Sequence, residues 1–246
     1  MGTLHSLNPK VSVTPARAVW QSPRRAVGQP ALLEQLTGDD RERFLDRCTE
    51  LSFRPRDAIF SQNLPTTATF VITDGLVRTY YLSPVGREVT MAFWSTGDLI
   101  GGPAFFGERP AHIWSAQAIG PTRVLAISTK ALKQLAKELP AVALGIIDAL
   151  SFKLHWVSLM LQTMGTESVT QRLATMLLRL SETYGEPTQG GVAIRYPFSQ
   201  ADLASMVGAS RPWVSTTFGR LQKEGIVAIR RRRILIIQLT KLKEML

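Results

Sequence analysis

FSQADLASMVGASRPWVSTTFGRLQKEG, residues Phe198–Gly225, is the stretch from which the rest of the chain is read. Counting from Gln200, Ala204 falls in mid-helix, where a small side chain lets a second helix cross closely. Gly208 follows a turn later, where the chain must leave the helix and tolerance of positive φ is favoured. Ser210 offers an N-cap oxygen, and Pro212 sits in the first turn of the next helix, where its missing N–H is not needed. Val214, Phe218 and Leu221 share one face at i, i+4, i+7, opposed by Leu203 and Val207. Arg211, Trp213, Ser215, Thr216 and Arg220 are left pointing away from the buried side. These spacings predict a helix-turn-helix whose second helix lies in the DNA major groove. The plainer alternative is a helical hairpin with a solvated basic face, which would not require all of them together.

The formal charge of +10 on 246 residues is unevenly placed. Residues 1–30 hold four Lys or Arg and no acid, residues 31–165 hold 13 of each sign, and residues 166–246 hold 12 Lys or Arg against six acids. The basic excess coincides with the helix-turn-helix, as a module meeting phosphate requires. The length accommodates two domains, and 45% hydrophobic with 20% charged residues suits a globular chain. No run of apolar residues approaches the ~20 that cross a bilayer. The first residues carry no secretory pattern, so a cytoplasmic protein without membrane contact is expected. The single cysteine, Cys48, can neither close an intrachain disulfide nor supply the four thiolates of an iron–sulfur cluster. It reads as a small buried apolar residue rather than a redox group.

Residues 1–30, rich in Pro, Ser and Arg, are expected to form a disordered basic extension, whether touching nucleic acid or without a specific task. Ala31–Cys48 reads as short helical segments, with Asp39 and Asp40 near a helix start. Short strands follow at Glu50–Phe53, Ala58–Phe60, Thr69–Thr73, Leu76–Leu82, Glu88–Trp94, Ile113–Ala118 and Arg123–Ser128. Turn signals such as Asp74-Gly75 and Gly120-Pro121 separate them, and the spacing points to an antiparallel sandwich or jelly roll.

Lys130–Glu138 reads as a helix, and Pro140 opens a longer one running to about Met164. Within it Ile147, Leu150, Leu154, Val157, Leu161 and Met164 recur at alternating spacings of 3 and 4, a seam of the kind that pairs two parallel helices. A stripe packed on the protein's own sheet is the alternative. Ser168–Tyr184 is a further amphipathic helix, followed by a loop holding Gly185, Pro187, Gly190 and Gly191, and by a strand at Val192–Tyr196. Ile226–Arg230 and Ile234–Gln238 bracket Arg231, Arg232 and Arg233, which reads as a hairpin wing whose basic tip grips the phosphate backbone.

Phe70–Gly75 (FVITDG), Thr96–Gly101 (TGDLIG), Val169–Leu178 (VTQRLATMLL) and Ser199–Leu221 together resemble the Crp/Fnr family of bacterial transcription factors, the cyclic AMP receptor and fumarate–nitrate reductase regulators. The resemblance spans residues 31–240. The fold expected is α+β: an N-terminal antiparallel β-roll of the jelly-roll, cyclic-nucleotide-binding-like kind, a long dimerisation helix, and a C-terminal winged helix-turn-helix. The expected boundaries are 1–30 for the extension, 31–138 for the roll, 139–165 for the dimerisation helix and 166–246 for the DNA-binding domain.

The resemblance also implies an effector pocket, and here the sequence departs from the family. Cyclic-nucleotide-binding members carry a cassette that begins Gly-Glu-Leu and ends in Arg beside Ser or Thr. Its Glu accepts from the ribose and its Arg pairs with the cyclic phosphate. Laid on that cassette, Gly102 stands where the Glu belongs, and His112 and Ile113 stand where Arg-Ser is expected. Cyclic AMP is therefore not expected to bind in the family manner. A protonated His could pair with an anion but lacks the bidentate fork. The pocket set is Gly101, Gly102, Pro103, Ala104, Phe105, His112 and Ile113, with Ser158 of the long helix. It is open between an apolar or aromatic effector and a collapsed pocket with none. Haem would need axial ligands, for which His112 and His155 are the candidates, against an ordinary structural role for each.

By the same resemblance Arg211 matches the family arginine that reaches guanine, as two donors to O6 and N7 allow. Pro212 and Thr216 differ from the family at neighbouring base-reading positions, so an altered half-site is expected. Trp213 is placed either on a thymine methyl or sugar, or against the first helix. Ser199 and Gln200 are expected at phosphate. No nucleophile–base set, metal-ligand cluster or phosphate loop is evident, so no enzyme, no cofactor and no metal are expected. The expected partners are a pseudo-palindromic DNA operator, a second copy of the chain, and RNA polymerase. The remaining alternative is a constitutive DNA-binding protein whose roll is only a scaffold.

Overall fold

The computed structural model describes residues 12–15, 32–102 and 111–246. In chain order the elements are β1 (Ser12–Pro15), α1 (Leu32–Gln35), α2 (Gly38–Leu45), β2 (Cys48–Phe53), β3 (Ala58–Phe60), β4 (Ala68–Asp74), β5 (Leu76–Leu82), β6 (Glu88–Ser95), β7 (Leu99–Ile100), β8 (Ser115–Ala118) and β9 (Thr122–Ser128). Then come α3 (Thr129–Glu138), α4 (Pro140–Thr166), α5 (Val169–Tyr184), β10 (Gly185–Thr188), β11 (Gly191–Ile194), α6 (Gln200–Val207), α7 (Arg211–Lys223), β12 (Val227–Arg230), β13 (Arg233–Ile236) and α8 (Leu239–Lys243). The chain divides into two units, 1–87 with 91–154 and 88–90 with 155–246, so the boundary falls inside α4.

In the first unit, two antiparallel sheets run in the orders β1-β2-β9-β4-β7 and β3-β8-β5-β6. Val71, Leu125 and Ile127 bury one face of the first sheet against Leu32, Leu33 and Leu36, Phe44, Leu132 and Leu135, and against Val142 and Ile146 of α4. Phe70, Ile72, Val124 and Ala126 alternate with them and are equally buried, so they fill the interior of the roll. A strand buried on both faces needs a nearly continuous apolar run, which Ala68–Ile72 supplies except at Thr69, whose hydroxyl donates to the Gly102 carbonyl at 3.1 Å. The Asp74-Gly75 turn closes tightly: Gly75 has φ 99°, and a Cβ there would lie 2.6 Å from the Pro121 carbonyl.

Some expectations need correcting. Ser12–Pro15, inside the stretch read as a disordered extension, pairs along β2 with Val13 opposite Leu51. The outer edge of β2 offers unpaired backbone groups that an extended segment satisfies. The remainder of residues 1–30 lies outside the described residues. The sequence pattern does not mark strands β7 and β10 or helix α8. By length and composition Pro140–Thr166 is long and apolar enough to cross a bilayer, although no uninterrupted apolar run is. The fold gives a physical reason for that apolarity. Val142, Ile146 and Ala149 are core residues, Gln35 donates to Asp148 at 3.0 Å, and a separate apolar stripe is exposed.

In the second unit, α5 buries Leu173, Met176, Leu177 and Leu180, and α6 and α7 bury Leu203, Val207, Val214, Phe218 and Leu221. The antiparallel sheet β10-β11-β13-β12 completes a winged arrangement, with Ile194, Val227 and Ile234–Ile236 buried.

Candidate nucleic-acid interface

The helix-turn-helix is built from local chemistry. Ser199 and Asp202 form a capping box at the start of α6, the Ser199 hydroxyl accepting from Asp202 N–H at 3.1 Å and the carboxylate accepting from Ser199 N–H at 2.8 Å. Gly208 ends α6 in the left-handed region at φ 70°. Ser210 then caps α7, accepting from Trp213 N–H at 3.3 Å, with Pro212 in the first turn. Ser199, expected at phosphate, therefore also holds a helix start, as Ser210 does for α7, and Gln200 is half-buried beside Ser199.

On α7, Arg211, Ser215, Thr216 and Arg220 are exposed on one side, Trp213 is half-buried, and Val214, Thr217 and Phe218 are buried on the other. Arg220 approaches Glu224 at 4.0 Å, an exposed pair one turn on. One residue not singled out in the sequence holds the turn in place. Arg172 of α5 donates from Nε to the Val207 carbonyl and from Nη1 to the Glu167 carbonyl, both at 2.9 Å. It thereby ties the ends of α6 and α4, where helix termini leave carbonyls unpaired.

The wing differs in detail from its sequence reading. Its last paired residues are Arg230 and Arg233, so only Arg231 and Arg232 form the apex. Arg233 lies on β13 and donates to Glu186 at 3.1 Å, and Glu186 also accepts from Arg195 at 2.8 Å. The Arg195 hydrogen bond holds the Glu186 carboxyl below its usual range.

The seam residues Ile147, Leu150, Leu154, Val157, Leu161 and Met164 are all exposed, between 42% and 74%. Leu144, at 60%, extends the stripe by one position that the sequence reading missed.

Of the pocket set, Pro103, Ala104 and Phe105 lie outside the described residues. Gly101 and Gly102 take φ of 92° and 71°, Ile113 is two-thirds exposed, and Ser158 is exposed on the part of α4 in the second unit. His112 is buried and stacks on Phe60 with centroids 4.1 Å apart, and Phe60 stacks on Phe70 at 5.9 Å. Burial pushes the imidazole down to about 4, so it is neutral near pH 7 and offers no cation to a phosphate. His155 is exposed, and among the described residues no three His, Cys, Asp or Glu side chains gather as a metal would need. Cys48 is half-buried, donates to the Phe44 carbonyl at 3.2 Å, and has its thiol pushed up by burial.

A second cluster was not legible in the sequence. The Lys153 ammonium of α4 sits 4.4 Å from the Trp94 ring centre, while Trp94 Nε1 donates to Thr79 Oγ1 at 2.9 Å. Burial pushes the Lys153 amine down to about 8 against the opposing charge of Asp98, which itself accepts from Ser95 N–H at 2.7 Å.

Two family models match, a cyclic nucleotide-binding domain over residues 50–138 and a Crp-like helix-turn-helix domain over residues 171–245. The global nitrogen regulator of Synechocystis sp. is 24% identical over 186 residues, 75% of this chain and 83% of that one. Regulatory protein HlyX of Actinobacillus pleuropneumoniae is 26% identical over 184 residues, 75% of this chain and 76% of that one. The structure of FixK2 from Bradyrhizobium japonicum superposes with a TM-score of 0.70 at 25% identity, covering 80% of this chain and 96% of that one.

Proposed function

The chain belongs to the Crp/Fnr family of DNA-binding transcription regulators, and from that premise we propose that it acts as a homodimer reading a two-fold symmetric operator through α7. The observation that carries this reading is the outward face of α7, where Arg211, Ser215, Thr216 and Arg220 are presented together above a buried apolar face. Arg211 is the guanine-reading group, and its planar fork suits O6 and N7. The partner helix is the α4 of a second copy, packed along the exposed stripe from Leu144 to Met164. That stripe is about 30 Å long at 1.5 Å per residue, ample for a two-helix seam.

Control enters through the roll. The neutral, stacked His112 supports a pocket that does not take a cyclic nucleotide in the family manner. An apolar or aromatic effector bearing on the Phe70–Phe60–His112 stack is the ligand class that fits. Asp98 and Trp94 meet α4 at Lys153, which gives such a ligand a route to the dimerisation helix. The same stack also favours a second reading, a constitutive regulator in which the protein's own rings fill the site.

Selection of bound duplexes from a random pool tests the proposal. An enriched site with two inverted half-sites about one helical turn apart supports it, and no enrichment or a single unsymmetrical site contradicts it. Repeating the selection with metabolite fractions separates effector control from constitutive binding.

A further inference from the structure

We propose that the wing apex, Arg231 and Arg232, enters the minor groove beside each half-site and reads its width. This rests on the placement of α7 in the major groove. The apex is a two-residue loop, because Arg230 pairs with Arg233 across it, and both apex residues are left-handed, at φ 50° and 65°. Two successive positive φ values define a type I′ turn, whose preferred occupants are Asn and Gly. An L-residue with a long side chain is strained at either position, and such strain persists where function requires the residue.

The charges are arranged to match. Glu186 ties back Arg233 and Arg195, fixing and partly neutralising the base of the wing. Arg231 and Arg232 make no ion pair among the described residues and stay exposed at the tip. Ile229, 49% exposed two residues before the apex, adds an apolar surface suited to a deoxyribose wall. Contact with phosphate alone would need none of this, since any flexible cation supplies it. A minor groove about 6 Å wide, by contrast, admits little more than the side chains of a two-residue apex. Where A·T pairs narrow the groove its negative potential deepens, and guanidinium sheds water more readily than ammonium.

The test is fluorescence anisotropy with the full chain on duplexes sharing one selected half-site pair but flanked by A-tract, G·C or inosine·C sequence. Inosine·C keeps the major-groove face of G·C and lacks its minor-groove amine. Wild type is expected to prefer the A-tract over the G·C flank by roughly tenfold, with inosine·C resembling A·T. Arg231→Lys with Arg232→Lys keeps the charge and the salt slope and loses the preference. Arg231→Asn with Arg232→Gly, which suits the turn and so folds, loses the preference and lowers the salt slope by about two per protomer. A flank preference absent from wild type, or unchanged in both variants, overturns the inference and confines the apex to phosphate. If wild type enriches and binds no duplex at all, the underlying reading of α7 falls with it.

Discussion

Replacing Leu161 by Ala probes the dimer with little effect on the fold. Leu161 is 74% exposed, so three-quarters of its side chain is available to a second copy and little of it supports the isolated chain. Leu→Ala removes the equivalent of about three methylenes, near 2.4 kcal/mol at about 0.8 each, of which roughly 1.8 lies on the exposed part. Two-fold symmetry doubles this to about 3–4 kcal/mol per dimer, or two to three decades in the dimer Kd at about 1.4 kcal/mol per decade. Sedimentation equilibrium across a concentration series reads that shift directly. Val85→Ala, at an 89% exposed turn of the roll, serves as the control and leaves the dimer unchanged. Urea unfolding at concentrations where both forms are monomeric should agree within about 0.5 kcal/mol. An unaltered dimer constant for Leu161→Ala, or a wild type that stays monomeric throughout, refutes the seam.

Arg172→Met strips hydrogen bonds from the Val207 and Glu167 carbonyls and should lower the unfolding free energy of the C-terminal unit, read from urea melts, by about 2–4 kcal/mol. Arg172→Lys should not restore it, because one ammonium lacks the fork that reaches both carbonyls. His112 carries a signed pH dependence. Its folded value of about 4 lies below the ordinary 6.5, so the unfolded chain takes up the proton first as pH falls. Stability is then full above pH 6.5 and declines down to pH 4, by at most about 3 kcal/mol. His112→Phe keeps the ring stack on Phe60 and removes that decline, which denaturation midpoints measured from pH 7 to 4 will register.

The elements that local chemistry specifies were legible. Ser199, Gly208, Ser210 and Pro212 mark the helix ends in the sequence itself, and the 3-and-4 spacing from Ile147 to Met164 marks an exposed stripe on α4. The β-roll strands stand out through runs such as Phe70–Thr73 between turn residues. Elements whose own residues carry no strand or helix period were not. Gly185–Thr188 has the composition of a turn and becomes β10 only by pairing with β11, and Leu99–Ile100 is too short to show a period. Arg172, Glu186 and Lys153 are ordinary charged residues in the text, and each acquires its task from groups far along the chain. His112 could be placed in the pocket region by alignment with the cassette, but its stacking on Phe60 depends on how β3 is brought alongside it.

The most direct measurement is the affinity of wild type and Arg211→Ala for duplexes carrying each single base-pair change across the selected site. The account predicts that Arg211→Ala flattens discrimination at one G·C pair in each half-site, at symmetry-related positions, by about 1–3 kcal/mol each, and leaves other positions as they were. A uniform loss across all duplexes, or discrimination that survives the substitution intact, contradicts it.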